Sequence, residues 1–145
     1  MREIKLRFWD KENKSMVYQD NKCLYPFNIY KIICDLFTNF EFRLFILKDN
    51  NLNQFEEVES VKMQFTGLKD KNGIEIYEGD IIKDSQDGSY YEIDFDEDFL
   101  RFRATELYFR ESYDLSDFIV ANDDLQDVAD GLIIGNIYEN QELLK

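Results

Sequence analysis

The sequence predicts a mainly β protein whose C-terminal part folds as a small barrel or a strongly bent sheet. Apolar and polar residues alternate over short segments, which is typical of half-buried strands. Glycine, asparagine and aspartate separate those segments at close spacing, as turns between short strands require. The chain has 145 residues, of which 44% are hydrophobic, so it is long enough to bury a core without disulfide cross-links.

The N-terminus is expected to form a β-hairpin. Residues 3–9 read as a strand with Ile4, Leu6 and Phe8 on one face, because alternate side chains of a strand point the same way. The polar run DKENKS then forms a turn, and residues 16–18 return as the second strand.

One helix is predicted after the hairpin, over residues 26–40. Pro26 suits the first position of a helix, and a strand over residues 40–47 follows. The apolar residues at helical spacing are Ile29, Ile33, Leu36 and Phe40.

The central strands are predicted from alternation and from turn residues. Residues 61–65 alternate, and Asn72-Gly73 favours a tight turn. DSQDGS forms a further turn before a strand whose inner face carries Tyr91, Ile93 and Phe95.

After Glu97-Asp98 the chain is expected to fold back. Leu100, Phe102 and Ala104 should then point inward, while two arginines face three acids of the preceding strand. Those charged residues are Arg101, Arg103, Glu92, Asp94 and Asp96.

The last elements predicted are a helical turn near residues 115–118, a buried strand over 132–138 and a short closing helix over 139–144. No low-complexity linker separates two domains. We expect an N-terminal segment of hairpin and helix over residues 1–57 and a barrel domain over residues 58–145.

Composition excludes several classes of function. The chain contains no histidine, which removes Ser-His and Cys-His catalysis and nearly every zinc site. It carries 31 acidic and 17 basic residues, and residues 84–145 alone hold 17 acidic and four basic ones. Such a surface repels phosphate backbones, so we expect no direct binding of nucleic acid.

The N-terminus has no apolar core of a signal peptide, and no apolar run is long enough to cross a membrane. We therefore expect a cytoplasmic protein without a membrane partner. The two cysteines, Cys23 and Cys34, are expected to be free thiols.

Carboxylate chemistry is the remaining catalytic option. A metal-dependent hydrolase could use acids alone, but nothing in their spacing brings two of them to a common point. Calcium-loop spacing fails for the acid-rich segments. The sequence therefore predicts no catalytic, metal-binding or cofactor-binding residue. The acids considered are Asp94, Asp96, Asp123, Asp124 and Asp127.

Tyrosine is abundant, with nine residues. Tyr90, Tyr108 and Tyr113 are expected to be exposed. Stacking on bases needs a basic groove that this chain lacks. Tyrosine is also enriched in protein interfaces, so we expect homo-oligomer contacts.

Three segments together resemble a known family. They are MREIKLRFWDKENKSMVY at 1–18, MQFTGLKDKNGIEIYEGDII at 63–82 and IIGNIYENQELL at 133–144. In this order they are similar to the YopX family of phage and prophage proteins. The resemblance implies an SH3-like barrel in the C-terminal part, a phage or prophage origin and a location in the cytoplasm of the bacterial host. The family has no established activity, so it implies no catalytic residue.

The central segment has a structural explanation as well as a functional one. Gly67, Gly73 and Gly79 recur every six residues, where barrel strands turn or bend. Asp70 and Asp80 can accept hydrogen bonds from backbone N–H groups in those turns. The alternative is a recognition surface formed by Tyr77, Glu78 and Asp80, with Glu78 and Asp80 exposed.

The leading hypothesis is a phage-derived accessory protein that binds protein, as a homo-oligomer or with a host or phage protein, without catalysis. One alternative is an acidic decoy that imitates DNA and inhibits a host protein. The second alternative is a carboxylate-metal hydrolase.

Overall fold

A computed structural model describes residues 4–19, 30–35, 41–47, 54–121 and 127–145. The fold is mainly β, as predicted, and the helical structure within these residues consists of two 3₁₀ turns. Among the residues described, no helical segment has the length and hydropathy needed to span a bilayer.

The chain divides into two compact units. One comprises Lys5–Met63, and the other comprises Gln64–Lys145 together with Met1–Ile4. The predicted division into domains 1–57 and 58–145 stays a prediction.

The first unit contains a hairpin and a three-stranded antiparallel sheet. Leu6 and Phe8 of the hairpin are buried with Leu44 and Ile46 of the sheet in one apolar cluster. The predicted hairpin is therefore confirmed, but Ile4 lies before the strand and is exposed. The strands are β1 (Leu6–Asp10), β2 (Ser15–Tyr18), β3 (Tyr30–Asp35), β4 (Glu41–Leu47), β5 (Phe55–Glu57) and the start of β6 (Ser60–Lys69).

The helix predicted over 26–40 is wrong in its described part, because Tyr30–Asp35 is strand β3. All six of its residues pair with β4, from Tyr30 opposite Ile46 to Asp35 opposite Glu41. The adjacent β-branched residues Ile32 and Ile33 suit a pleated strand, and a short apolar run fits both periodicities. Residues 26–29 and 36–40 lie outside the described residues. Cys34, in β3, is a free cysteine.

The second unit holds most of the strands. β6 pairs with β7 in antiparallel fashion, and β13 pairs with β6 in parallel. Five further strands form a curled antiparallel sheet in the order β11-β10-β9-β8-β14. The elements after β6 are β7 (Glu75–Tyr77), β8 (Asp80–Asp84), β9 (Tyr90–Asp96), β10 (Arg101–Glu106), β11 (Ser112–Asp114), a 3₁₀ turn (Leu115–Phe118), β12 (Ile119–Ala121), β13 (Asp127–Ala129), β14 (Gly131–Asn136) and a 3₁₀ turn (Gln141–Leu144).

One face of the curled sheet covers the core of this unit. Tyr91 and Ile93 of β9 lie beside Phe102 and Ala104 of β10, as the alternation predicted. Leu100 does not join them, because β10 begins at Arg101. The inward position predicted for Leu100 is therefore wrong, and its side chain is exposed.

The strand near the end of the chain is less buried than predicted. β14 forms where the buried strand was predicted, but Leu132 and Ile134 are exposed. β14 pairs with β8 on one side only, and an edge strand shows part of its surface to solvent. The closing helix is a single 3₁₀ turn, and the helical turn at Leu115–Phe118 is confirmed.

Candidate functional site

The predicted recognition residues Tyr77, Glu78 and Asp80 lie at the turn between β7 and β8. Tyr77 and Asp80 are buried and Glu78 is half-buried. Asp80 was expected to be exposed, which is wrong because its carboxylate closes the turn. The Asp80 Oδ2 atom accepts a hydrogen bond of 2.7 Å from the Tyr77 backbone N–H, and Gly79 between them has a φ of 80°.

The other two side chains hold β7 in place. The Tyr77 hydroxyl donates to Glu75 at 3.0 Å, and its ring lies 5.5 Å from that of Phe65. Glu78 accepts a hydrogen bond from the backbone N–H of Gln64 in β6. These contacts give all three residues a structural role. Their role in recognition stays a prediction.

Asp70 also organises a turn, as its position predicted. Its buried carboxylate accepts hydrogen bonds from the backbone N–H groups of Asn72 at 2.8 Å and Ile74 at 3.0 Å. It also accepts one of 3.1 Å from the N–H of Ile133 in β14. The first two hydrogen bonds are predictable from the sequence, because their donors lie two and four residues after Asp70. The third is not, because its donor in β14 lies 63 residues away along the chain.

Four hairpin loops share one backbone design. Each has four residues and lies between two residues that face each other across the hairpin. The last loop residue has positive φ in every case, a conformation that favours glycine. The loops are 11–14, with Lys14 at 50°, 85–88, with Gly88 at 76°, 97–100, with Leu100 at 53°, and 107–110, with Arg110 at 60°.

An acidic residue precedes each of these loops and binds its backbone. Asp10 accepts hydrogen bonds from the N–H groups two and three residues ahead, both at 2.9 Å. Asp84 and Asp96 do the same at 2.6–3.2 Å, and Glu106 accepts from the N–H of Phe109. Four of the acidic residues therefore serve to close turns.

The side chains divide the loops into two kinds. Loops 11–14 and 85–88 read KENK and SQDG and are polar. Loops 97–100 and 107–110 read EDFL and LYFR, and we call these two the apolar loops. Their large side chains are in solvent: Phe99 is 71% exposed, Leu100 77%, Tyr108 82% and Phe109 74%. Because the polar loops reach the same design without such residues, the fold does not require them.

The apolar loops are also ordered by local contacts. The Arg101 guanidinium lies 5.2 Å from the centroid of the Phe99 ring, within reach of a cation–π interaction. The rings of Tyr108 and Phe109 meet edge to face at 4.8 Å. A preorganised side chain loses less conformational entropy when it binds.

Sequence reasoning identified Tyr108 as exposed but missed Phe99, Leu100 and Phe109. The signal was present in DEDFLR and ELYFRE, two segments ten residues apart with phenylalanine at the third loop position. The pairing register of two strands sets the number of residues in the loop between them, and the sequence does not show that register. Leu100 was therefore predicted as a strand residue.

The outer face of the curled sheet is paired as predicted for two of the three acids, whereas Glu92 lies opposite Thr105. Arg101 lies opposite Asp96, and Arg103 lies opposite Asp94. Arg103 bonds Asp94 at 2.6 Å and Asp96 at 3.3 Å. The hydrogen bond that Arg103 donates to Asp94 raises the pKa of Arg103 above its usual value. Four of the acids on this face are therefore matched by arginine, counting Asp114 with Arg101 and Glu92 with Arg110.

A second group of acids surrounds a depression of about 240 Å³ next to loop 85–88. Asp130 is buried at its wall, where Lys71 pairs with it and Gln86 donates to it at 2.7 Å. These hydrogen bonds, from Lys71 first, lower the pKa of Asp130 below its usual value. Asp84, Asp87 and Asp117 line the same depression.

Among the described residues, the acids considered for metal chemistry are not gathered into a centre. Across the described ranges, no group of three Asp, Glu, Cys or His residues could hold a metal ion. Asp94 and Asp96 bond Arg103, while Asp123 and Asp124 lie outside the described residues. Asp127 begins β13.

Comparison with known proteins agrees with the resemblance seen in the sequence. Protein EF1440 from Enterococcus faecalis, known from a crystal structure, is 29% identical to this chain. The match covers 100% of both chains with a TM-score of 0.51. No curated protein matches the chain significantly. A family model described as YopX protein matches residues 5–145, so the chain belongs to the YopX protein family.

Proposed function

We propose that this protein acts by binding protein, as a homo-oligomer, and that it catalyses no reaction. The observation that carries the proposal is the exposure of Tyr108 and Phe109 in loop 107–110. Burying a large apolar side chain contributes about 1.5–3 kcal/mol. Two such side chains held outward on one hairpin are therefore a source of binding energy that folding leaves unused.

The kind of residue supports a protein ligand over a nucleic acid. Tyrosine and phenylalanine are enriched at protein interfaces, where a few aromatic side chains supply most of the affinity. The acids around them repel phosphate. Glu97 and Asp98 are exposed beside Phe99, and within the described part of the chain neither forms an ion pair.

Membership of the YopX family supports the wider proposal. We propose a phage or prophage origin, action in the host cytoplasm, and a host or phage protein as a further partner. We also propose that the second unit is an SH3-like barrel. A five-stranded antiparallel sheet that curls over one apolar core supports this assignment.

Sedimentation velocity over a range of micromolar concentrations tests the proposal. We expect a species larger than the 17.5 kDa chain, with a proportion that rises with protein concentration. A single monomeric boundary at every concentration would contradict the homo-oligomer.

A further inference from the structure

We propose that loop 107–110 and the neighbouring outer surface of the curled sheet form the contact between two copies of this chain. This inference rests on the proposed homo-oligomer and names its interface. We define the self-contact surface as Tyr108, Phe109, Arg110, Tyr90, Lys83 and Leu132.

The loop continues into an exposed row across three strands. Leu132 of β14 lies opposite Lys83 of β8, and Lys83 lies opposite Tyr90 of β9. Cross-strand neighbours share a face of the sheet, so these side chains stand in one line. The backbone N–H of Leu107, the first loop residue, donates to the Tyr90 carbonyl at 2.9 Å.

Two of the three residues in this row are apolar, and the row is open to solvent. Tyr90 is 40% exposed and Leu132 is 38% exposed. The Lys83 Nζ atom lies 5.8 Å from the centroid of the Tyr90 ring, so the lysine chain covers part of the aromatic surface. Together with Tyr108 and Phe109, the row extends the apolar area beyond a single loop.

Charge favours a second copy as the occupant here. The chain carries a net charge of −14, so most contacts between two copies bring acids together and are repulsive. The self-contact surface instead contains Lys83 and Arg110. Glu111 follows directly, with an exposed carboxylate that accepts a hydrogen bond of 2.7 Å from the Tyr113 hydroxyl. Arg110 is largely exposed, and its ion pair with Glu92 is long, at 3.8 Å.

A two-fold contact between two copies uses positive and negative charges at once. In such an interface each surface meets its own copy, so residue i of one chain meets residue j of the other, and the reverse. Adjacent Arg110 and Glu111 can therefore pair with Glu111 and Arg110 of the second copy while the aromatic rings pack between them.

The other apolar loop does not fit a second copy equally well. Loop 97–100 carries Glu97 and Asp98 beside Phe99, and Arg101 behind it already pairs with Asp114. Two copies meeting there would place four exposed carboxylates together. This loop is therefore the matched control, since it has the same backbone and a similar apolar content.

Sedimentation equilibrium of three proteins tests the interface: the wild type, Tyr108→Ser with Phe109→Ser, and Phe99→Ser with Leu100→Ser. We expect the first double variant to raise the dissociation constant about thirtyfold or more. The control pair should leave it within about threefold. Circular dichroism must show that both variants keep the wild-type strand signal.

Charge exchange gives a second measurement that loss of folding cannot imitate. Arg110→Glu should weaken association by about tenfold, and adding Glu111→Arg to it should restore most of the affinity. Equal association of the wild type and the Tyr108/Phe109 variant overturns the interface but leaves the homo-oligomer standing. Equal weakening by both double variants also overturns it, and a monomeric wild type overturns the homo-oligomer itself.

Discussion

The polar and apolar hairpin loops have the same backbone and different side chains. Loops 11–14 and 85–88 end in lysine and glycine at the positive-φ position, and loops 97–100 and 107–110 end in leucine and arginine. A carboxylate before each loop binds its N–H groups. Folding of these loops therefore needs the preceding acid and a last residue with positive φ. It does not need the exposed aromatic side chains.

The largest expected effect is removal of the acid that closes a loop. Asp10 is buried and accepts three hydrogen bonds from loop 11–14, including one of 2.7 Å from the Asn13 side chain. Asp10→Ala should therefore lower the free energy of unfolding by about 3 kcal/mol. Urea denaturation followed by circular dichroism measures the loss.

Asp10→Asn is the control for that substitution, because an amide keeps one acceptor oxygen for the backbone. It should lose less than half as much stability as Asp10→Ala. Equal losses would show that the hydrogen bonds to the loop are not the cause.

A smaller effect is expected at the one loop that ends in glycine. A Cβ atom on Gly88 would meet only the Lys83 side chain at 3.7 Å, which is ordinary contact. The backbone φ of 76° is therefore the obstacle. Gly88→Ala should destabilise the protein by about 1 kcal/mol, measured as a lower denaturation midpoint.

Gly88→Asn tests the cause, since asparagine tolerates positive φ better than alanine. It should lower the denaturation midpoint less than Gly88→Ala does. If alanine proves as stable as glycine, the positive-φ position does not constrain the loop.

The smallest expected effect has the opposite sign. Leu100 occupies the same position with a large side chain that is in solvent. Leu100→Gly should raise the free energy of unfolding by about 0.5 kcal/mol, because relief of the left-handed strain exceeds the added entropy of the unfolded chain. The thermal denaturation midpoint, compared with that of Leu100→Ala, measures it. A lower midpoint for glycine than for alanine would contradict the loop design.

Local chemistry predicted much of this structure. The turns at DKENKS and DSQDGS, the role of Asp70 and the pairing of arginines with acids on β9 and β10 all follow from residues close in sequence. Each depends on spacing that a single hairpin displays, so no knowledge of distant contacts was needed.

The failures came where a distant partner decides the outcome. Tyr30–Asp35 is a strand because β4 supplies its hydrogen bonds, although its apolar spacing also suits a helix. Leu132 and Ile134 are exposed because β14 lies at a sheet edge. Asp80 is an exception, because its partner is local: its carboxylate accepts a hydrogen bond from the N–H of Tyr77, three residues earlier. Residue type alone does not reveal that bond.

The shared loop backbone makes the hairpin ends of this protein interchangeable. Replacing SQDG at 85–88 with LYFR would keep the flanking Asp84 and Ser89 and a residue able to adopt positive φ in the last position. The graft would move an exposed aromatic tip to another hairpin of the same unit without redesigning a strand. An exchange of four residues therefore changes the side chains that this unit exposes, while its strands keep their sequence.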